Sequence, residues 1–253
     1  MPSPVVKQRI KQVVRRTVGE PYVGKRLKLR AVGRELDAMQ LHPRAVLDAG
    51  AEDATFVYWL ADRYRDASVL ATDVDEAAME ACRATRPERY VNRVAFRAGT
   101  FDTLPPDAFD LVTAFDVLEH IEDDRGALRQ LHRSLRPGGS LLVHVPRDRW
   151  RRTDGMIERV PDSEAWRVNP GHVRFGYSPT GLRELVEAAG FEVVDVQTWV
   201  RAWGVRAFSL YTRVERILPL RLMTIPFTDL AAVLDRRRPA DEGNTVWLHA
   251  RRP

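Results

Sequence analysis

The sequence predicts an α/β chain built on a doubly wound, mostly parallel sheet of seven strands with helices on both faces. Two observations carry this reading. Residues 45–53 (AVLDAGAED) and 69–75 (VLATDVD) are short apolar runs that each end in a carboxylate, the pattern of buried parallel strands whose carboxyl ends open onto one crevice. Further apolar runs then alternate with helix-forming stretches, and alternation of that kind builds a parallel sheet.

Taken in order, residues 4–18 read as an amphipathic helix, with Val6, Ile10, Val13, Val14 and Val18 on one side and Lys7, Lys11, Arg15 and Arg16 largely elsewhere. Gly19, Pro21 and Gly24 break it, and a second helix follows over about 25–39. Strands are expected at 45–48, 68–72, 94–98, 109–115, 140–145, 191–198 and 245–250. Helices fall between them, at 54–64, at 76–85 behind an Asp75 cap, from Asp123 or Asp124 to near 135, and from the strong Ser178-Pro179 start through 189. Pro137-Gly138-Gly139 and Gly190 are turns into the following strands. Residues 199–235 are too long and apolar for a structureless connection; with Trp203, Phe208, Tyr211 and Phe227 among several Arg, they predict a helical cap over the crevice. The expected organisation is a basic helical extension (1–40), a cofactor-binding core (41–198), a helical apolar cap (199–240) and a final core strand (241–253).

Charge is unevenly spread. Residues 1–30 hold nine Lys or Arg against Glu20 alone, and residues 199–253 hold ten against five acids, so the net +5 of the chain leaves −8 on residues 31–198. Basic flanks concentrate anionic partners such as acidic lipid, nucleic acid or an anionic substrate. No uninterrupted apolar run approaches the roughly 20 residues of a membrane helix. Cys82 is the only cysteine and the start, MPSPVVKQRIKQVVRR, has no apolar signal region, which predicts a cytoplasmic location. The basic amphipathic start would allow peripheral contact with the inner face of the membrane.

Asp48 and Gly50 close the first strand, and Asp73 stands 25 residues beyond Asp48, where a doubly wound sheet offers an acid to ribose hydroxyls. A dinucleotide would need more glycine than Gly50 followed by Glu52, Asp53 and Ala54, whose carboxylates repel phosphate. A phosphate-free nucleoside is expected, and S-adenosylmethionine fits.

The series VLDAGAED, VLATDVD, FDLVTAFDVLEHIED, LHRSLRPGGSLLVHVP and GHVRFGYSPTGLRELVEAAGFEVV resembles the class I S-adenosylmethionine-dependent methyltransferases over roughly residues 44–198. The resemblance implies a Rossmann-like sheet ordered 3-2-1-4-5-7-6 with the last strand antiparallel. By position it implies that Asp48, Ala49 and Gly50 line the methionine moiety, Asp73 binds the ribose, Val74 packs on adenine, Thr100 and Phe101 take the adenine-edge positions, and Asp116 faces the sulfonium. This chain departs from the family at Glu52 and Ala54, where loop glycines are usual, and at Thr100, where an acid is usual. A Glu52 carboxylate near the cofactor carboxylate is repulsive unless it turns away or meets an ammonium group.

His120 is the base that the resemblance implies for a hydroxyl acceptor. Asp116, Glu119 and His120 have the spacing of a divalent-cation set, as in the ubiquinone-pathway O-methyltransferases, but Asp116 is also the strand-end cofactor residue and no metal is expected. His172, Arg174 and Tyr177 lie in a loop able to close over the acceptor, and Trp203 belongs to the cap. His144, inside a strand, reads as a satisfied buried histidine. Residues 148–169, with Trp150, Arg151, Arg152, Arg159, Trp166 and Arg167, have the composition of a clamp for an anionic or sugar-containing acceptor.

The leading expectation is O-methylation of a bulky small molecule, a sugar, glycolipid, quinone or polyketide-like hydroxyl, anionic or lipid-linked. The alternatives are a nucleic-acid methyltransferase and a non-catalytic binding protein on the same fold. The first is disfavoured because Phe115-Asp116-Val117-Leu118 stands where base-amine enzymes place an (Asn/Asp)-Pro-Pro-aromatic turn; the second is motivated by Glu52.

Overall fold

The computed structural model describes residues 3–154, 156–159, 161–163, 171–235 and 243–253. Helices α1 (Pro4–Val18) and α2 (Val23–Met39) lead into β1 (Ala45–Ala49), α3 (Thr55–Arg63), β2 (Ser68–Asp73), α4 (Glu76–Ala84), β3 (Val94–Ala98) and β4 (Phe109–Phe115). The chain continues through α5 (Asp124–Ser134), β5 (Leu135–Pro146), β6 (Arg149–Arg151), β7 (Ile157–Arg159), α6 (Pro179–Glu187) and β8 (Glu192–Trp199). Helices α7 (Ala202–Val214) and α8 (Leu218–Leu234) precede β9 (Thr245–Arg251).

Seven strands form one sheet in the order β3-β2-β1-β4-β5-β9-β8, with β9 antiparallel to both neighbours. This is the expected topology once β6 and β7, a separate two-stranded hairpin, are set aside. Asn244 anchors that hairpin at the start of β9, accepting from the Arg151 N–H at 2.7 Å and donating to its carbonyl at 3.1 Å. The hairpin was not expected, and Trp166 and Arg167 of the proposed clamp lie outside the described residues.

The central strands are apolar runs because both faces are covered. Successive residues of a strand point to opposite faces, so Val46 packs with Leu60, Val69, Leu111 and Trp247, while Leu47 packs with Val112, Leu128, Leu141 and Leu248. A third cluster joins the chain's two flanks: Val23 and Leu27 of α2 meet Ala207 and Tyr211 of α7 and Ala231 and Ala232 of α8. Arg26 grips Asp229 through two of its guanidinium nitrogens, Nε at 2.8 Å and Nη2 at 2.7 Å. Asp235 accepts the N–H groups of Arg201, Trp203 and Gly204, each at 2.9 Å, which satisfies donors left unpaired where α7 begins.

Helix α1 turns its polar side inward. Gln8 is buried and donates to the Asp53 carbonyl at 2.8 Å, Gln12 donates to the Thr85 carbonyl at 3.1 Å, and Lys11 and Arg15 reach the Asp53 carboxylate. Its apolar stripe is left outside, with Val6 45%, Ile10 56% and Val13 63% exposed.

Candidate active site

The loop after β1 forms the floor of a cleft at the carboxyl ends of the strands. Gly50 has φ +77°, and a Cβ there would stand 2.3 Å from Val117 Cγ2, so glycine is required by both backbone and space. Glu52 and Ala54 have φ 44° and 58°. The loop therefore keeps the left-handed turns that glycine favours, at a cost of about 1–2 kcal/mol per residue. The Glu52 carboxylate meets the Lys25 ammonium at 2.7 Å and is 68% exposed. Asp53 is buried and takes Lys11 at 3.0 Å, Arg15 at 2.8 Å and Lys25 at 3.0 Å. Burial alone would raise the Asp53 carboxyl, but Lys25 and Arg15 outweigh it and hold the group below the usual carboxylate range. The two acids that seemed hostile to an anionic ligand are thus neutralised from α1 and α2, and Glu52 loses its force as a reason to read the fold as non-catalytic.

Asp48 and Ala49, expected beside the methionine, are buried and do not line the cleft; the lining begins at Gly50. Strand alternation turns the Asp48 carboxylate into the sheet, where the Thr113 hydroxyl donates to it at 2.6 Å. Burial pushes this carboxyl up to about 7, with Asp73 adding to the shift and the Thr113 bond opposing it. A raised acid binds its proton more tightly in the folded state, so its contribution to stability is full below about pH 4 and is lost as pH rises to about 7. Asp48→Asn is expected to flatten this dependence and raise the melting temperature at pH 8 more than at pH 5, read by thermal denaturation at both.

Asp73 lies on the cleft and braces its floor, accepting from the Glu52 N–H at 2.9 Å and the Asp75 N–H at 3.0 Å. Val74, 75% exposed, and Thr100 and Phe101 line the same side. The Thr100 hydroxyl donates to Asp102, which also lines the cleft. An acid therefore does stand after β3, two residues beyond the position where the sequence was read as lacking one.

At the end of β4, Asp116 adopts φ 56° and is gripped from two sides. The buried Lys28 of α2 contacts one carboxylate oxygen, and His144 Nδ1 donates to the other at 2.7 Å. Partial enclosure of the Asp116 carboxylate, whose side chain is 44% exposed, opposes ionisation, but Lys28 and then His144 overcome it and hold the carboxyl below its ordinary range. Burial, with Lys28, pushes His144 down, so its ring is neutral, and its Nε2 has no partner among the described residues. Trp199, stacked on Trp247 at 4.6 Å, lies 5.8 Å from the His144 ring.

The turn beyond carries Glu119 and His120. Glu119 is buried with neither carboxyl oxygen partnered among the described residues; burial, and then the neighbouring Asp116, raise it well above the usual range. His120 Nδ1 lies 2.9 Å from the Gly171 carbonyl, which can only accept. Nδ1 therefore carries a hydrogen, and in the tautomer with a single ring proton Nε2 carries the lone pair. The His172 ring stands edge-on at 4.6 Å and is pushed down by burial and by His120. Glu119, His120 and His172 offer ligand atoms within 4.8 Å of one another, whereas Asp116 of the sequence-derived cation set is absent from that group and tied to Lys28 and His144.

Of the four residues assigned to the acceptor, only His172 lines the cleft. Arg174 donates to the Leu118 and Ile121 carbonyls, both at 2.7 Å, and pairs with Asp124 at 3.1 Å. The Tyr177 hydroxyl donates to Asp124 at 2.8 Å. Both side chains are spent on pinning the 118–122 turn in place. Trp203 packs against the α2–α7–α8 cluster with the Arg206 guanidinium 4.8 Å from its ring centre. The cleft has a volume of about 1890 Å³ and is also lined by Tyr22, Lys28 and His144, which the sequence does not assign to a ligand, together with Glu119 of the cation set, Trp150 of the clamp and Phe208 of the cap. Tyr22 and Lys28 come from the N-cap and body of α2, an element without a motif, and His144 from β5, where the sequence reads it as a buried histidine.

Residues 22–196 match a sequence family described as "Methyltransferase domain". A relative from Mycolicibacterium smegmatis, named "Probable S-adenosylmethionine-dependent methyltransferase", is 37% identical over 154 residues, which is 60% of this chain and 53% of that protein. The chain thus spans about half of that relative's length. The trans-aconitate 2-methyltransferase of Methylobacterium radiotolerans is 29% identical over 66% of this chain and 70% of its own. An S-adenosylmethionine-dependent methyltransferase structure from Mesorhizobium loti superposes with a TM-score of 0.57 at 20% identity, covering 87% of this chain and 96% of that one, a likeness of fold.

Proposed function

The chain belongs to the class I S-adenosylmethionine-dependent methyltransferase family, and on that premise we propose that it methylates a hydroxyl oxygen of a bulky small molecule, with His120 as the base. The observation that carries this reading is the His120–Gly171 hydrogen bond, which leaves Nε2 free to accept a proton at the wall of the cleft. The volume of about 1890 Å³ exceeds the roughly 300–1,000 Å³ of an ordinary ligand pocket and suits a nucleoside together with a large acceptor.

The residues present fit the cofactor. Gly50 lines the cleft at the first strand end, in a turn that only glycine fits against Val117, and Asp73 offers a carboxylate at the second strand end. When bound, the cofactor supplies a methyl carbon already activated by a sulfonium. The chain's own work is alignment of the acceptor and removal of its proton. His120 Nε2 takes that proton, and the Gly171 carbonyl fixes the ring through Nδ1. Lys28 and His144 are positioning residues that keep Asp116 ionised at the strand end. Arg129, Arg152 and Arg221 line the cleft and support an anionic acceptor, as does the trans-aconitate specificity carried in one relative's name.

Calorimetric titration with S-adenosylmethionine and with its demethylated product tests this. Heat is expected for both, with affinity falling about tenfold to a hundredfold in Asp73→Ala through loss of charge-assisted hydrogen bonds. No heat at millimolar ligand would sink the enzyme reading.

A further inference from the structure

We propose that the outer face of α1 docks on an anionic bilayer surface and sets the cleft mouth against it, so that an acceptor with a lipid tail enters from the membrane plane. Val6, Ile10 and Val13 follow i, i+4, i+7 spacing and form one outward stripe, and Thr17 continues it. Lys7, Arg9 and Arg16 flank the stripe, are exposed, and make no ion pair among the described residues. The helix contains no acidic residue. An amphipathic helix ordinarily spends its apolar face on the core. Here the inward face is polar because Asp53 is buried and draws Lys11 and Arg15 to itself, so the apolar side is committed outward by the loop it serves. Apolar residues at the centre with cations at the rim are complementary to acyl chains beneath anionic headgroups.

The stripe is continuous with the site. Ile10, 56% exposed, also lines the cleft, as do Val14 beside it and Tyr22, which is 39% exposed. A second copy of the chain is a poorer occupant. A two-fold contact through α1 would bring the unpaired Lys7, Arg9 and Arg16 of two molecules together. Among the described residues, no helix is long and apolar enough to cross a membrane.

The acceptor's route rests on the methyl-transfer reading, whereas docking itself does not, and flotation separates the two. The full chain is expected to co-float with equimolar phosphatidylcholine–phosphatidylglycerol vesicles at low salt and not with phosphatidylcholine alone. Partitioning should fall by about tenfold or more in the Val6→Glu/Val13→Glu double variant, and also at high salt. Neither position lines the cleft and both are exposed, so the variant should keep its circular dichroism and its heat with S-adenosylmethionine. Absence of flotation at low salt overturns the proposal, as does flotation that the double variant leaves unchanged. A dimer in light scattering that the variant dissociates, without vesicle binding, assigns the stripe to a second copy instead, and binding to vesicles that nuclease treatment abolishes assigns it to nucleic acid. Flotation without cofactor heat would end the methyl-transfer reading and leave docking standing.

Discussion

His120→Ala is expected to lower kcat by about 10²–10⁴-fold, the range lost with a positioned general base, while the affinity for S-adenosylmethionine changes little. Because the Gly171 carbonyl takes Nδ1–H, the singly protonated ring has its lone pair at Nε2, on a residue that lines the cleft, and the ring is held against rotation. His172 is less basic than an ordinary imidazole, since burial and the proximity of His120 lower it, and its Nδ1 is buried without a partner among the described residues. His120→Gln should lose the rate equally while retaining a hydrogen-bonding side chain. Steady-state kinetics with a hydroxyl acceptor, alongside calorimetry of the cofactor, reads the two effects separately. A variant with unchanged kcat would remove His120 from the chemistry.

Asp53→Ala should cost about 3 kcal/mol of folding stability, the lower end of what breaking a buried ion pair costs. Three cations converge on this carboxylate, and Arg15 and Lys25 are only 17% and 18% exposed, so removing it leaves partly buried charge uncompensated. The lower end applies because Arg15 keeps Glu20 at 2.7 Å and Lys25 keeps Glu52 at 2.7 Å. Since the folded carboxyl is lowered, its contribution is complete above about pH 4 to 5 and is lost as pH falls below that window. Urea denaturation should therefore show a large gap between wild type and variant at pH 7 that narrows under acid conditions. An equal gap at both would mean that packing, not charge, is responsible.

Much of the architecture was legible in the residues because buried parallel strands announce themselves as apolar runs and their partners as helix periods. The β6–β7 hairpin was not, since alternating Arg and Trp carry no burial signal and its anchor, Asn244, lies more than ninety residues away in sequence. At the site, Gly50 and Asp73 could be placed on the cleft from their spacing behind strands, and His120 from the family resemblance. Asp48 could not be placed on the correct side, because one step along a strand reverses the face. Arg174 and Tyr177 have the composition of ligand-binding residues, yet nearby carbonyls and Asp124 consume them. Lys25 and Lys28 escaped notice because a helix that precedes the sheet carries no motif tying it to the strand ends. The inward polar face of α1 follows from Asp53, a dependence between distant positions that periodicity alone does not reveal.

The clasp between the two flanks also orders biosynthesis. Arg26 is made some two hundred residues before Asp229, and Val23 and Leu27 wait as long for Ala207 and Ala231. Contacts so distant along the chain carry the largest loop-closure cost and form late. On the ribosome, Val23, Arg26 and Leu27 must therefore wait for α7 and α8, although α1 can already seat on Asp53 and Thr85 and the rest of α2 on the sheet, and a chaperone covering that end of α2 would be covering a surface that closes late.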